Sequence, residues 1–207
     1  MFKRKPRSYS QIASELVYPR GGWSRAAQYL GYRVRRLPDQ PHRIARGFAA
    51  GTFINFTPLF GFHLLGAFAL AWVMRGNLLA AALGTLIGNP VTIPFMAMTS
   101  MALGRWMLGV DGSMTPAAIL NAFAAAGRQL THNLMSIFDD RVAQWDQLET
   151  FFHAIFLPYL VGSIIPGTIA AVIAHYLSLR VVEGYHRHRA ARMAKRAARQ
   201  ARKNAGG

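Results

Sequence analysis

The chain contains no cysteine. That excludes disulfides, thiolate metal sites, iron–sulfur clusters and a cysteine nucleophile. Acid is also scarce, with 8 Asp and Glu against 24 Lys and Arg. Paired carboxylates for acid–base chemistry therefore have few sources. The neighbours Asp139-Asp140 diverge on a helix, so a solvated helix end is expected there and not a catalytic pair. There is no Walker lysine loop, no H-E-x-x-H, no G-x-S-x-G and no G-x-G-x-x-G. The common nucleotide, zinc-protease, hydrolase and dinucleotide chemistries thus lack their machinery. Near the start, Lys3-Arg4-Lys5 leads into Ser8-Tyr9-Ser10-Gln11, without the apolar run of about 7–15 residues that a secretory signal needs. Membrane insertion would have to be directed by internal segments.

What is present looks contradictory at first. Of the 207 residues 52% are hydrophobic and mean hydropathy is +0.17, yet the formal net charge is +16. Location resolves the conflict. Residues 1–46 hold 11 basic and 2 acidic side chains, and residues 180–207 hold 9 and 1. The 133 residues between them hold 4 and 5. Two basic ends enclose a nearly neutral apolar middle, which is a membrane-protein pattern.

Three stretches lack Asp, Glu, Lys and Arg: 47–74, 76–104 and 150–179, of 28, 29 and 30 residues. Each exceeds the roughly 18 apolar residues that mark a transmembrane candidate. As straight helices they would run to about 42 Å or more, against a hydrocarbon core of about 30 Å. Each also contains a breaker: Asn55–Gly61 around Pro58, Gly88–Pro94 around Asn89-Pro90, and Pro158 with Ile165-Pro166-Gly167. Proline removes a backbone donor and displaces the residue before it from helical geometry. Three kinked spans fit this pattern, and so do re-entrant hairpins. Parity favours the hairpins. Short basic flanks stay cytoplasmic, so two cytoplasmic termini require an even number of crossings. The arm Gly47–Thr57 would reach only about 16 Å, which suits a segment that enters and returns. The pairs Gly47/Gly51 and Gly84/Gly88 have the spacing that lets helix backbones touch, within the protein or in a dimer.

The flanks carry the charge. In Trp23–Leu37, the residues Trp23, Ala26, Ala27, Leu30, Val34 and Leu37 share one arc, with Arg25, Arg33, Arg35, Arg36 and Tyr32 outside it. A helix lying in the membrane plane is expected, the alternative being a helix packed on the protein's own core. The tail from residue 180 is rich in Ala, Arg and Lys, including Arg192, Lys195, Arg196 and Arg199. Attraction to anionic lipid is its default role. No aromatic follows Tyr185, so base stacking and hence nucleic-acid binding lack support. Between the second and third apolar stretches, Thr115-Pro116 reads as an N-cap with proline at N1. It opens an amphipathic helix expected to end at Asp139-Asp140 and to cap the bundle or lie on the membrane.

Ionisable groups in apolar segments are functional candidates by default. Here they are His63, His153 and His175. The bland reading bonds His63 to a carbonyl freed by the Pro58–Gly61 break. The sharper one is a polar site of Asn55, Pro58, Gly61, His63, Asn89 and Pro90 where two broken helices meet, as in many transporters. It requires the two breaks to touch.

The run Pro41–Phe53, continuing through Pro58-Leu59-Phe60-Gly61-Phe62-His63, Arg75-Gly76-Asn77 and Gly84-Thr85 to Gly88-Asn89-Pro90-Val91-Thr92-Ile93-Pro94, resembles the prokaryotic membrane family catalogued as domain of unknown function 2062. The resemblance covers roughly residues 41–180 and leaves out the basic arms. It implies a bacterial inner-membrane protein and brings no activity, substrate or cofactor. The expected fold is all-α, an integral membrane bundle with broken or re-entrant helices and a peripheral N-terminal helix. Its parts would be a basic arm at 1–40, a membrane domain at 41–180 and a basic tail at 181–207. The expected function is non-enzymatic, structural or lipid-interacting, with small-solute or ion transport as the alternative. Anionic membrane lipids are the expected partners, a homo-oligomer is a further option, and no metal or cofactor is expected.

Overall fold

The computed structural model describes residues 22–110, 114–138 and 142–205, apart from the side chains of residues 23, 26, 199, 201–203 and 205. The first 21 residues, Asp139-Asp140 and the side chains of Trp23, Ala26 and Arg199 fall outside the described residues. The described residues form helices and connections without a strand, as expected. They are α1 (Gly22–Val34), α2 (Pro41–Ile54), α3 (His63–Val73), α4 (Leu78–Thr85), α5 (Thr92–Met107), α6 (Pro116–Met135), α7 (Asp146–Phe151) and α8 (Leu157–Ala205). A π-helical turn, Phe152–Phe156, joins α7 to α8. At 49 residues α8 is about 73 Å long, and the other helices can be located along it.

α2 lies antiparallel to α8. Ile44 and Val182 share one buried cluster, whereas Phe53 and Phe56 lie against Gly167. α3 folds back on α2, because Gly66 lies against Ile54, Ala67 and Ala71 pack with Ala50, and Gly76 lies against Gly47. The turn after α3 closes this hairpin. The Asn77 amide donates to Arg43 O at 2.8 Å, and the Asn77 side chain reaches Asp39 at 2.9 Å while capping Ala80 N–H at 2.8 Å. Both ends of the α2–α3 hairpin are therefore at the same end of the molecule. Arg75 there adopts φ 51, and a methyl on Gly76 would come 2.6 Å from Gly47 N. Only glycine fits that approach.

α4 runs parallel to α2. Gly47 meets Asn77, Gly51 meets Ala81 and Thr85, and Gly84 meets Phe48 and Thr52. The contact is reciprocal, and Gly-Thr-x-Ile occurs at 51–54 on α2 and at 84–87 across the end of α4. A local two-fold relation follows. The expected glycine pairs thus serve packing inside the chain. α5 then continues past the second break, antiparallel to the first turns of α8. Gly104 meets Pro158, and Gly162 meets Ser100. The α4–break–α5 stretch therefore passes from the end holding Asn77 to the end holding Ala154, while the α2–α3 hairpin returns to its starting end.

The third apolar stretch departs from expectation. Pro158 and Pro166 sit within one continuous helix and break nothing. The π turn directly before Pro158 absorbs one lost bond. The Ala154 carbonyl, four residues before Pro158, faces Arg105 Nη1 at 3.5 Å. A partner from another element thus offsets the missing donor. α1 meets the rest of the protein at its C-terminal end, while Ala27 is exposed and Leu30 half-buried. Val34 is 3% exposed and packs with Ile44, Ala80 and Val182, with Leu37 against them. Its apolar C-terminal end is used on the protein's own core.

Thr115 caps α6 by accepting Ala118 N–H at 3.2 Å, and the helix closes at Met135. Ile119 and Phe123 turn inward towards Met101 and Tyr159. The far end of α6 is tied to the next segment by Gln129 to Asp146 and by Asn133 to Gln144, at 3.1 and 2.6 Å. Among the described residues one continuous helix, Asp146–Ala198, is long and apolar enough to cross a membrane. Only 33% of its apolar window is buried inside the molecule, unlike the core helix of a water-soluble domain. α3 is a shorter apolar helix.

Candidate functional site

The two breaks do touch. Asn55 is 5% exposed and donates from Nδ2 to Gly84 O at 3.1 Å, and a methyl on Gly88 would lie 2.6 Å from its Oδ1. Ser100 on α5 donates to Phe56 O at 3.3 Å, and Thr57 Oγ1 donates to Ile54 O at 2.8 Å. His63 Nε2 lies 3.3 Å from Thr57 O, the bland arrangement. Asn89 serves its own loop: Oδ1 accepts Val91 N–H at 2.9 Å and Thr92 N–H at 3.0 Å, and Nδ2 donates to Ile87 O at 3.2 Å. Thr92 Oγ1 donates to the same carbonyl at 2.7 Å. Pro58 is buried at the first break, Gly61 takes φ 84, and Pro90 is exposed. The structure brings Asn55 against Gly88, whereas His63 and Asn89 bond backbone groups within their own breaks and Gly61 and Pro90 are exposed, so each polar side chain is spent on the main chain. These bonds leave carbonyls paired within the protein, which is the condition for irregular backbone at membrane depth.

A second candidate lies where α1 crosses α8. Tyr32, Arg35 and Arg36 form one wall, and Tyr185, His188, Arg189, Arg192, Met193 and Arg196 form the other, around about 630 Å³. The α8 residues recur at 3 or 4, so one stripe of the helix faces the cleft. Two of the arginines are held by aromatic rings. Arg36 stacks 3.8 Å from the Tyr32 centroid, and Arg35 lies 5.0 and 5.7 Å from Tyr32 and Tyr185. Arg35 Nε is buried without a hydrogen-bond partner. Two smaller clefts adjoin, one with Arg25 and Tyr29, the other with Asp39 and His186. Asp39 is already committed. The Asn77 amide holds its carboxyl below the ordinary carboxylate value, partial burial opposes this, and Gln40 N–H and Arg43, at 3.3 Å, add to the lowering.

Of the basic residues singled out in the sequence, Arg35, Arg36, Arg192 and Arg196 converge on this cleft. Arg25 lines its neighbour, Arg33 bonds Tyr29 Oη at 2.7 Å, and Lys195 is exposed on α8. Tyr185, His188 and Arg189 complete the cleft without having been named as lipid contacts, together with Tyr32 from the polar face of α1. The α8 stripe was a readable signal for three of them. Their meeting with Tyr32, 153 residues away, was not.

These features define an all-helical protein with one long exposed apolar helix, a seam of self-satisfied breaks and an arginine-lined cleft at one end. Residues 24–191 match the family described as uncharacterised protein conserved in bacteria, domain of unknown function 2062, and the chain belongs to that family. The match takes in α1 and the first half of the basic tail, wider than the 41–180 that the sequence motifs span. No curated protein and no solved structure matches the chain.

Proposed function

We propose that this is a non-enzymatic protein of the bacterial inner membrane that crosses it twice and engages anionic lipid at its cytoplasmic face. α4–α5 and α8 would cross, and the α2–α3 hairpin would enter and return. The observation that carries the reading is the meeting of α1 with α8, within about 9 Å of the end of the apolar stretch at Leu179. Two basic segments from opposite ends of the chain form one surface just beyond the apolar part. Such a surface attracts anionic lipid by about 1 kcal/mol per basic residue. An even number of crossings agrees with two basic termini on one side.

Full-length protein purified in detergent with bacterial lipid tests the lipid role. Anionic phosphatidylglycerol is expected to remain bound in excess over its share of the mixture. Retention in proportion to the mixture would contradict the reading. The contact between the breaks supports transport as a second reading, with Asn55, His63 and Asn89 as its polar site. Those side chains already bond backbone groups, which is why lipid engagement stands first.

A further inference from the structure

We propose that the cleft between α1 and α8 binds a phosphate group bearing more than one negative charge, a phosphomonoester or a diphosphate, carried by a membrane lipid or a soluble ester. The inference rests on the lipid-interacting reading and deepens it by naming the headgroup chemistry.

Charge count is the first argument. Five arginines line the cleft, and no described carboxylate does. The nearby acids are occupied, with Glu183 3.6 Å from Arg187 and Asp39 held by Asn77 and Arg43. A phosphodiester headgroup such as phosphatidylglycerol brings one negative charge to this cluster. A phosphomonoester brings roughly −1.5 to −2 and a third strongly accepting oxygen. The excess of guanidinium groups favours the higher charge.

Geometry is the second argument. Arg35 is held near the rings of Tyr32 and Tyr185, with its Nε buried and unpaired. Arg36 is stacked on Tyr32. Guanidinium forks fixed before binding suit phosphate oxygens, which they meet in pairs. A mobile basic tail would offer diffuse attraction only. The cleft's size falls within the range of about 300–1,000 Å³ typical of small-ligand sites, so it admits a headgroup larger than one phosphate. Its walls come from segments that meet only in the folded chain, so the site is built by the fold.

The test uses full-length protein in detergent and native mass spectrometry. Phosphatidic acid and phosphatidylglycerol with identical acyl chains are offered in equal amounts, with phosphatidylcholine as the neutral reference. About a tenfold preference for phosphatidic acid over phosphatidylglycerol is expected. The triple variant R35Q/R189Q/R192Q should lose that preference, whereas the charge-matched R33Q/R187Q/K195Q, outside the cleft, should keep it. Inorganic pyrophosphate at millimolar concentration should displace phosphatidic acid. Displacement by micromolar pyrophosphate would identify a soluble ester as the ligand source. Equal retention of the two anionic lipids, or equal loss in both triple variants, would overturn the inference while leaving the lipid reading intact. No preference over phosphatidylcholine would remove the lipid reading itself. The wild-type comparison needs no variant, so a variant that misfolds still leaves the claim decided.

Discussion

Gly47, Gly51, Gly84, Gly104 and Gly162 carry the tightest backbone contacts, and each faces the main chain of another element. A methyl group at any of them meets peptide atoms and not the yielding tip of a side chain. Overpacking of this kind typically costs about 1–3 kcal/mol. Gly51→Ala and Gly104→Ala should lower the unfolding free energy in detergent by at least that much. Gly127 on α6 faces open space, so Gly127→Ala should stabilise by about 0.5–1 kcal/mol through helix propensity. A second residue-scale prediction concerns pH. Asp39 is held below its ordinary value by Asn77, so its stabilising effect is complete above the unfolded-state pKa. That contribution is lost as pH falls through the lower, folded value. Acid unfolding profiles of the wild type and Asp39→Ala should therefore differ near neutrality and converge in strong acid. A constant difference across the range would argue against the ionised Asp39–Asn77 bond.

At the scale of elements, the two breaks are held by side chains that substitute for lost helix bonds. Asn55→Ala removes the side-chain bond to Gly84 O, which keeps Ile87 N–H at 3.2 Å, and empties a buried polar contact at Gly88, so it should cost about 0.5–1.5 kcal/mol. Asn89→Ala removes an acceptor shared by two N–H groups at the start of α5, for about 0.5–2 kcal/mol. Chemical unfolding followed by circular dichroism checks both. These breaks were legible in the sequence because proline, glycine and asparagine act locally, at Asn55–Gly61 and Gly88–Pro94 alike. The continuity of α8 was not. Pro158 looks the same in sequence, but a π turn and Arg105 from another helix meet its missing bond. The contact between the breaks likewise depends on Gly51 and Gly84 packing across 33 residues, a non-local fact. The apolar arc of α1 was visible, but the packing of Val34 at its end with Val182 is not local to α1.

For the whole molecule, the sequence puzzle was a net charge of +16 on a chain that is 52% hydrophobic. The charge sits at the two ends of the chain, and the fold joins those ends at the α1–α8 crossing. The arginine cleft could not be read from composition, since Tyr32 and Tyr185 are ordinary on their own helices. The proposed topology is a hairpin with both ends on the cytoplasmic face, beside two crossings. The absence of cysteine permits single-cysteine labelling in intact cells and in inverted membrane vesicles. Cysteines at Gln28, Arg75 and Asn204 should react only from the cytoplasmic face, and one at Val142 only from the opposite face. Arg75 labelling together with Val142, or Gln28 and Asn204 from opposite faces, would contradict the account.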